Sequence, residues 1–169
     1  MYRLKNFGIR NEETVDSVGA NAKMNEFQAS MGICNLRHVE DEIKKREELV
    51  KGYRNYLDGI QGIQVTKEQK NVKSNYAYFP ILVDEEQVGV SRDVICESLK
   101  KKGIYTRKYF YPLTNTFDCY AGKFDINNTP IALDISKKVL TLPLYADLSM
   151  DDVKWICKEI IKLKKREEL

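Results

Sequence analysis

From Ala22 to about Leu57 the chain carries no proline, and its apolar residues follow helical spacing. Phe27, Met31 and Cys34, then Leu36, Val39 and Ile43, then Val50, Tyr53 and Leu57 fall on one stripe. The opposite face offers Glu40–Lys44, Asp41–Lys45 and Glu42–Arg46, each with the acid four residues before the base. Such pairs contribute only about 0.3–0.5 kcal/mol each, so burial of the stripe must hold the helix. Gly32 and Gly52 weaken the pattern, and a bend is expected near Gly32. Gly59 and Gly62 end it.

Beyond the helix, Ile63–Thr66 reads as a short strand and Lys67–Ser74 as a polar loop. Asn75–Asp84 is aromatic and β-branched and reads as the best strand, with Pro80 forcing an edge position or a bulge. Ser91 caps a helix through Val94, Ile95 and Leu99, which Gly103 stops after Lys100–Lys102. Ile104–Phe110 is a further strand candidate. Thr129-Pro130 opens a helix through Ala132, Ile135 and Val139, and Leu140–Tyr145 is extended around Pro143. Ser149-x-x-Asp152 is a variant capping box, and Val153, Ile156, Ile160 and Leu163 give the last helix its buried stripe. Residues 1–20 are mixed and rich in turn formers. The order predicts an α+β fold: a long N-terminal helix packed with a small, mainly antiparallel sheet and further helices.

Composition narrows the picture. The 169 residues include 28 Lys+Arg against 25 Asp+Glu, a net charge of +3 with the signs mixed, which is no signature of nucleic acid or anionic lipid as partner. A hydrophobic fraction of 43% supports a packed core and excludes disorder as the main state. No apolar run is long enough to span a membrane, and residues 1–6 have no apolar leader core, so the expected location is cytoplasmic. Cys34, Cys96, Cys119 and Cys157 lie far apart, and His38 is the only histidine. Neither a metal centre nor a disulfide framework is expected from that spacing. His38 reads as a surface or packing residue. The basic Lys162–Arg166 run reads as a solvated helix end.

No dinucleotide fingerprint, phosphate loop, nucleophile elbow or zinc-protease motif occurs, and no complete catalytic set can be assembled. Two stretches carry candidate binding chemistry. Asn21 and Lys23, between Gly19 and the helical pattern, read either as an N-cap with a solvated neighbour or as a phosphate-binding amide and cation at a helix start. Tyr109, Phe110 and Tyr111, following Arg107-Lys108, read either as core-packing aromatics or as an aromatic, basic mouth for a ring-shaped anionic ligand.

Taken in order, several segments resemble the C-terminal part of the DegT/DnrJ/EryC1/StrS family of pyridoxal-phosphate-dependent sugar aminotransferases. They are Asn6-Phe7-Gly8; Gly19-x-Asn21-x-Lys23-Met24-x-Glu26-x-Gln28-Ala29; Gly32 with Leu36; Arg46 and Tyr53; Tyr109–Leu113; and Ser136 with Leu142-Pro143-Leu144-Tyr145-x-x-Leu148-Ser149. The resemblance covers essentially the whole chain. It implies the small C-terminal domain of a fold-type I transferase, residues 21–169, with residues 1–20 as a linker from a large cofactor-binding domain that only Met1–Lys5 would represent here.

The resemblance also implies roles. Asn21 and Lys23 would bind the pyridoxal 5'-phosphate held by the neighbouring subunit of a homodimer. Tyr109, Phe110 and Tyr111 would lie near a nucleotide-sugar substrate, the amino donor being glutamate. Many members have a histidine after the Pro-Leu of that stretch; this chain has Thr114. No lysine stands in the family's context for the Schiff base, so no catalytic residue is assigned, and the chain alone is expected to be inactive and to hold no cofactor. The other reading is a non-catalytic interaction module, a truncated or degenerate relative that docks through its long helix.

Overall fold

Phe79–Val83 (strand β4) is the middle strand of the larger sheet, between Ile63–Val65 (β3) and Val139–Leu142 (β5), all antiparallel. The structure is a computed structural model that describes residues 1–164. It divides into two units, Met1–Asp41 and Glu42–Leu169.

The first unit opens with helix α1 (Tyr2–Lys5) and a two-stranded ribbon, β1 (Ile9–Asn11) and β2 (Thr14–Val15). Residues 4–7 are hydrogen-bonded to residues 20–22: Ala20 N donates to Leu4 O at 2.8 Å, Phe7 N to Ala20 O at 3.2 Å and Ala22 N to Lys5 O at 2.9 Å. Two glycines permit this crossing. Gly8 has φ +75°, and a Cβ there would meet Ser17 O at 1.6 Å; a Cβ on Gly19 would meet Gly8 N at 2.4 Å. Helix α2 (Glu26–Leu36) follows and buries none of its residues within the chain. Phe27 is 77% exposed and Met31 48%, so the N-terminal part of the apolar stripe, whose burial was expected to hold the helix, is not covered within the chain.

That pattern is two helices, not one bent at Gly32. Helix α2 ends at Leu36 and α3 (Val39–Leu57) begins after a tight turn in which Arg37 N bonds to Cys34 O and His38 N to Asn35 O. The apolar spacing contains the cause: Cys34 to Leu36 is a step of two, which rotates the stripe off its face. His38 lies in this turn, exposed. On α3, Lys45 pairs with Glu42 at 3.2 Å, and Arg46 donates to the Asn75 carbonyl, 3.1 Å from Nη2.

In the second unit one cluster forms the core. It takes Leu49, Val50, Tyr53 and Leu57 from α3, the inward residues Phe79, Ile81 and Val83 of β4, and Leu140 and Leu142 of β5. After α4 (Glu85–Val88), helix α5 (Arg92–Lys100) adds Ile95 and Leu99. Helix α6 (Pro130–Lys138) leads into β5, and α7 (Met150–Leu163) adds Val153, Ile156, Cys157 and Ile160. The predicted caps of α5 and α7 are in place. Ser91 Oγ accepts from Val94 N at 3.3 Å, and Ser149 Oγ from Asp152 N at 3.1 Å, with Asp152 closing the box. The α+β class stands as expected. The part of the basic run beyond Lys164 lies outside the described residues.

Pro80 was expected at an edge or a bulge, yet it pairs with Thr141 inside the central strand. The hydrogen-bond pattern explains its tolerance. Thr141 exchanges both of its backbone bonds with Arg107, so its pairing with Pro80 is a non-hydrogen-bonded one. The missing N–H of Pro80 therefore faces the β3 side, one residue beyond the last β3 pair, Val65–Ile81. The best-strand segment Asn75–Asp84 shortens to Phe79–Val83. The expected strand Ile104–Phe110 reduces to the single bridge Arg107–Thr141.

Candidate functional site

In the first unit, Asn21 forms an isolated antiparallel bridge with Asn6, and Lys23 Nζ stands 5.8 Å from the centre of the Phe7 ring. Both Asn21 and Lys23 are exposed. Asn21 is not the N-cap. Helix α2 starts five residues later, capped by Asn25, whose side chain accepts from Gln28 N at 2.8 Å while Gln28 Oε1 accepts from Asn25 N at 3.0 Å. This box satisfies two of the first-turn donors, those of Asn25 and Gln28, and Glu26 adds a negative charge beside them. The helix start expected directly behind Asn21 is therefore displaced to Asn25. What remains is an exposed amide and an exposed ammonium two residues apart.

In the second unit, a cavity of about 220 Å³ is walled by Ala77, Tyr78, Tyr105, Arg107, Tyr109 and the segment Thr141–Leu144. Strand β5 places Thr141 and Leu142, and the Arg107–Thr141 bridge brings Arg107 to its rim. Tyr109 is the one residue of the expected aromatic trio in this wall among the described residues. Its ring meets Tyr78 edge-on at 5.4 Å and stacks on Phe110 at 5.1 Å, and its hydroxyl accepts a hydrogen bond from Arg107. Phe110 is 72% exposed, and Tyr111 lies against the Arg92 guanidinium at 5.1 Å. Aromatic faces with a rim guanidinium suit a sugar ring carrying a negatively charged group.

The sequence reading missed Tyr78, Tyr105, Arg92 and Asp93. Tyr78 lies in the aromatic run assigned to a strand. Arg92 and Asp93 carry no local signal, because only the chain's fold brings Lys108 and Tyr111 to them. Lys108 Nζ is 2.5 Å from Asp93 Oδ1 and, with Arg92, holds that carboxyl below the usual carboxylate range. A third device fixes the cavity floor: the buried Tyr53 hydroxyl donates to Pro143 O at 2.8 Å. Among the described residues, no three His, Cys, Asp or Glu side chains converge to hold a metal ion. No helix among them is long and apolar enough to cross a membrane.

The sequence pattern of the DegT/DnrJ/EryC1/StrS aminotransferase family matches residues 1–161, and the chain belongs to that family. It is 45% identical over 161 residues to the dTDP-4-amino-4,6-dideoxy-D-glucose transaminase of Escherichia coli, across 94% of this chain and 43% of that protein. Its fold matches the crystal structure of DesI, determined with its TDP-sugar product, at a TM-score of 0.86 and 28% identity, over 98% of this chain and 42% of DesI. The PLP form of Streptococcus pneumoniae Spr1654 matches in fold at a TM-score of 0.82 and 24% identity, over 96% of this chain and 42% of that one. The chain thus spans less than half the length of these relatives.

Pyridoxal phosphate has a phosphate end and an aldehyde end, and the residues here can be tested against each. Asn21 and Lys23 offer an amide and a cation to a phosphate. The aldehyde end needs a lysine that gives up its proton, which burial in apolar surroundings promotes. Lys108, Lys138 and Lys164 are half-buried and the other described lysines are exposed. Among the described residues, Asn21 and Lys23 thus offer groups suited to a phosphate, and no lysine is buried as the aldehyde end would require.

Proposed function

We propose that this chain is the small-domain part of a pyridoxal-phosphate-dependent aminotransferase that acts on a nucleotide-linked keto-sugar. The substrate inferred is a dTDP-linked 4-keto-6-deoxyhexose, aminated at C4, with glutamate as the amino donor. The observation that carries this reading is the 45% identity to a dTDP-4-amino-4,6-dideoxy-D-glucose transaminase along nearly the whole chain. The aromatic cavity agrees with it, since Tyr78 and Tyr109 offer ring faces and Arg107 a cation at the rim.

In this account Tyr109 packs against the sugar, Phe110 and Tyr111 complete the aromatic segment, and Asn21 and Lys23 reach the cofactor phosphate of the neighbouring subunit in a homodimer. The Schiff-base lysine belongs to the rest of the protein. The chain contributes binding and positioning, and the cofactor supplies the electron sink.

The test is 2-oxoglutarate release by the full-length protein, loaded with cofactor and given glutamate and a keto-sugar linked to dTDP, GDP or UDP. Turnover with the dTDP sugar at a kcat/KM at least about tenfold above the others supports the reading, a discrimination of about 1.4 kcal/mol. Equal rates with all three leave the aminotransferase and remove the nucleotide assignment. No turnover with any of them favours the interaction-module reading.

A further inference from the structure

We propose that Asp93 is a positioning residue for the nucleotide-sugar, because it joins the buried Arg92 to Lys108 and so sets the Tyr109–Tyr111 segment in place. The inference rests on the aminotransferase reading above.

The argument begins at Arg92. Its side chain is only 4% exposed, and Nη1 donates to Ser136 O at 3.1 Å and to Val139 O at 2.9 Å, where α6 passes into β5. Arginine stays charged in proteins, and a buried cation needs a counter-charge. Asp93 Oδ1 lies 2.7 Å from Arg92 Nε, a charge contact without the alignment of a hydrogen bond. The same oxygen takes Lys108 Nζ at 2.5 Å. One carboxylate thus separates an immobile cation from a cation on the substrate-facing segment.

The backbone leaves that segment in need of such a link. Arg107 is pinned to Thr141 by two main-chain bonds, of 3.0 and 2.7 Å. Beyond it the turn closes on itself, Tyr111 N to Lys108 O, and side chains set its direction. Lys108 goes to Asp93, Tyr111 to the face of Arg92, and Tyr109 to the edge of Tyr78. Two of these three attachments run through the Arg92–Asp93 pair. If the carboxylate is neutralised, Lys108 and Arg92 become neighbouring cations with nothing between them, and repulsion turns the segment outward.

This logic predicts an order of effects that a merely structural contact would not give. Asp93→Asn leaves both cations and the greatest repulsion. Lys108→Met loses the link and the repulsion together. In the full-length protein, Asp93→Asn should raise KM for the dTDP keto-sugar about tenfold or more, with KM for glutamate unchanged. Lys108→Met should raise it less, and Lys108→Arg should stay near the wild type. The double variant Asp93→Asn/Lys108→Met should bind the sugar better than Asp93→Asn alone, a non-additivity expected only of directly coupled groups. Calorimetric titration with the dTDP-linked amino-sugar should give the same order in Kd. The proposal is overturned if Asp93→Asn keeps the wild-type sugar KM. It is also overturned if the two single effects simply multiply, or if the glutamate and sugar KM values rise together. A wild-type protein that makes no amino-sugar overturns the functional reading instead, and this inference with it.

Discussion

Replacing Tyr53 by phenylalanine removes one oxygen from the middle of the core and leaves the ring where it is. The ring stacks on Phe79 at a centroid distance of 4.8 Å and an interplanar angle of 16°, and neither side chain is appreciably exposed. Burial pushes the phenol well above its usual range, so the hydroxyl stays a donor at every working pH. Its acceptor, Pro143 O, lies on the segment that walls the aromatic cavity. A net hydrogen bond contributes about 0.5–1.5 kcal/mol, and an unsatisfied buried acceptor costs about 1–3. Pro143 is half-buried, so water recovers part of that cost, and the expected loss is about 1–2 kcal/mol. For a chain of this size that lowers Tm by about 2–8 °C. Trp155, the only tryptophan, sits on α7 in the same unit and reports urea unfolding there; the midpoint should fall with the slope unchanged. Tyr53→Leu should fall further, by about 0.5–1.5 kcal/mol for the lost stacking beyond its area. If Tyr53→Phe unfolds at the wild-type midpoint, the Pro143 bond contributes nothing and the account of the cavity floor is wrong.

Other outcomes follow from the same structure. Burial pushes the Cys157 thiol up to about 12, so iodoacetamide at pH 8 should alkylate the exposed Cys34 and Cys119 and spare Cys157 until the chain unfolds, as peptide mass mapping would show. Lys108 holds Asp93, and Lys102 with Lys162 hold Glu159, below their ordinary values of 3.8 and 4.5. Stability from these depressed carboxyls is present above those values and is lost as pH falls through the lower folded ones. Urea midpoints should therefore drop below about pH 4.5, and less steeply for Glu159→Gln. Asn21→Ala in the full-length protein should weaken cofactor binding roughly 10- to 150-fold, by loss of one charge-assisted bond of about 1.5–3 kcal/mol, without touching helix α2. Asn25→Ala should do the reverse, costing about 1 kcal/mol of stability with cofactor affinity unchanged; spectroscopic cofactor titration and thermal melts separate the two.

What could be read from the sequence was local. Ser91, Ser149 with Asp152, and Pro130 announce helix starts through the residues beside them, and α5, α6 and α7 begin there. The alternation of Phe79, Ile81 and Val83 marks one buried strand face. The exposure of Phe27 and Met31 agrees with a helix half that has no cover of its own. What could not be read depends on distant partners. The turn at Arg37–His38 hides behind a periodicity that holds on both sides of a two-residue step. Pro80 reads as an edge signal until Thr141 is seen bonding to Arg107 instead. Asn21 resembles a cap because Asn25, four residues on, offers the same chemistry with a Gln28 that completes it. Gly8 and Gly19 read as turn residues, whereas their crowding comes from the chain crossing itself. At the aromatic site the sequence points to Tyr109, but Tyr78, Arg92 and Asp93 reach it only through the sheet and α5.

The central claim is amino transfer to a nucleotide-linked keto-sugar by the protein that carries this chain. Its most direct measurement uses glutamate labelled with ¹⁵N, pyridoxal phosphate and a dTDP-linked 4-keto-6-deoxyhexose, with mass spectrometry of the sugar nucleotide. The full-length protein should place the label on the sugar catalytically, and this chain alone should place none. An unlabelled sugar from the cofactor-loaded full-length protein, or catalytic labelling by the isolated chain, would contradict the account.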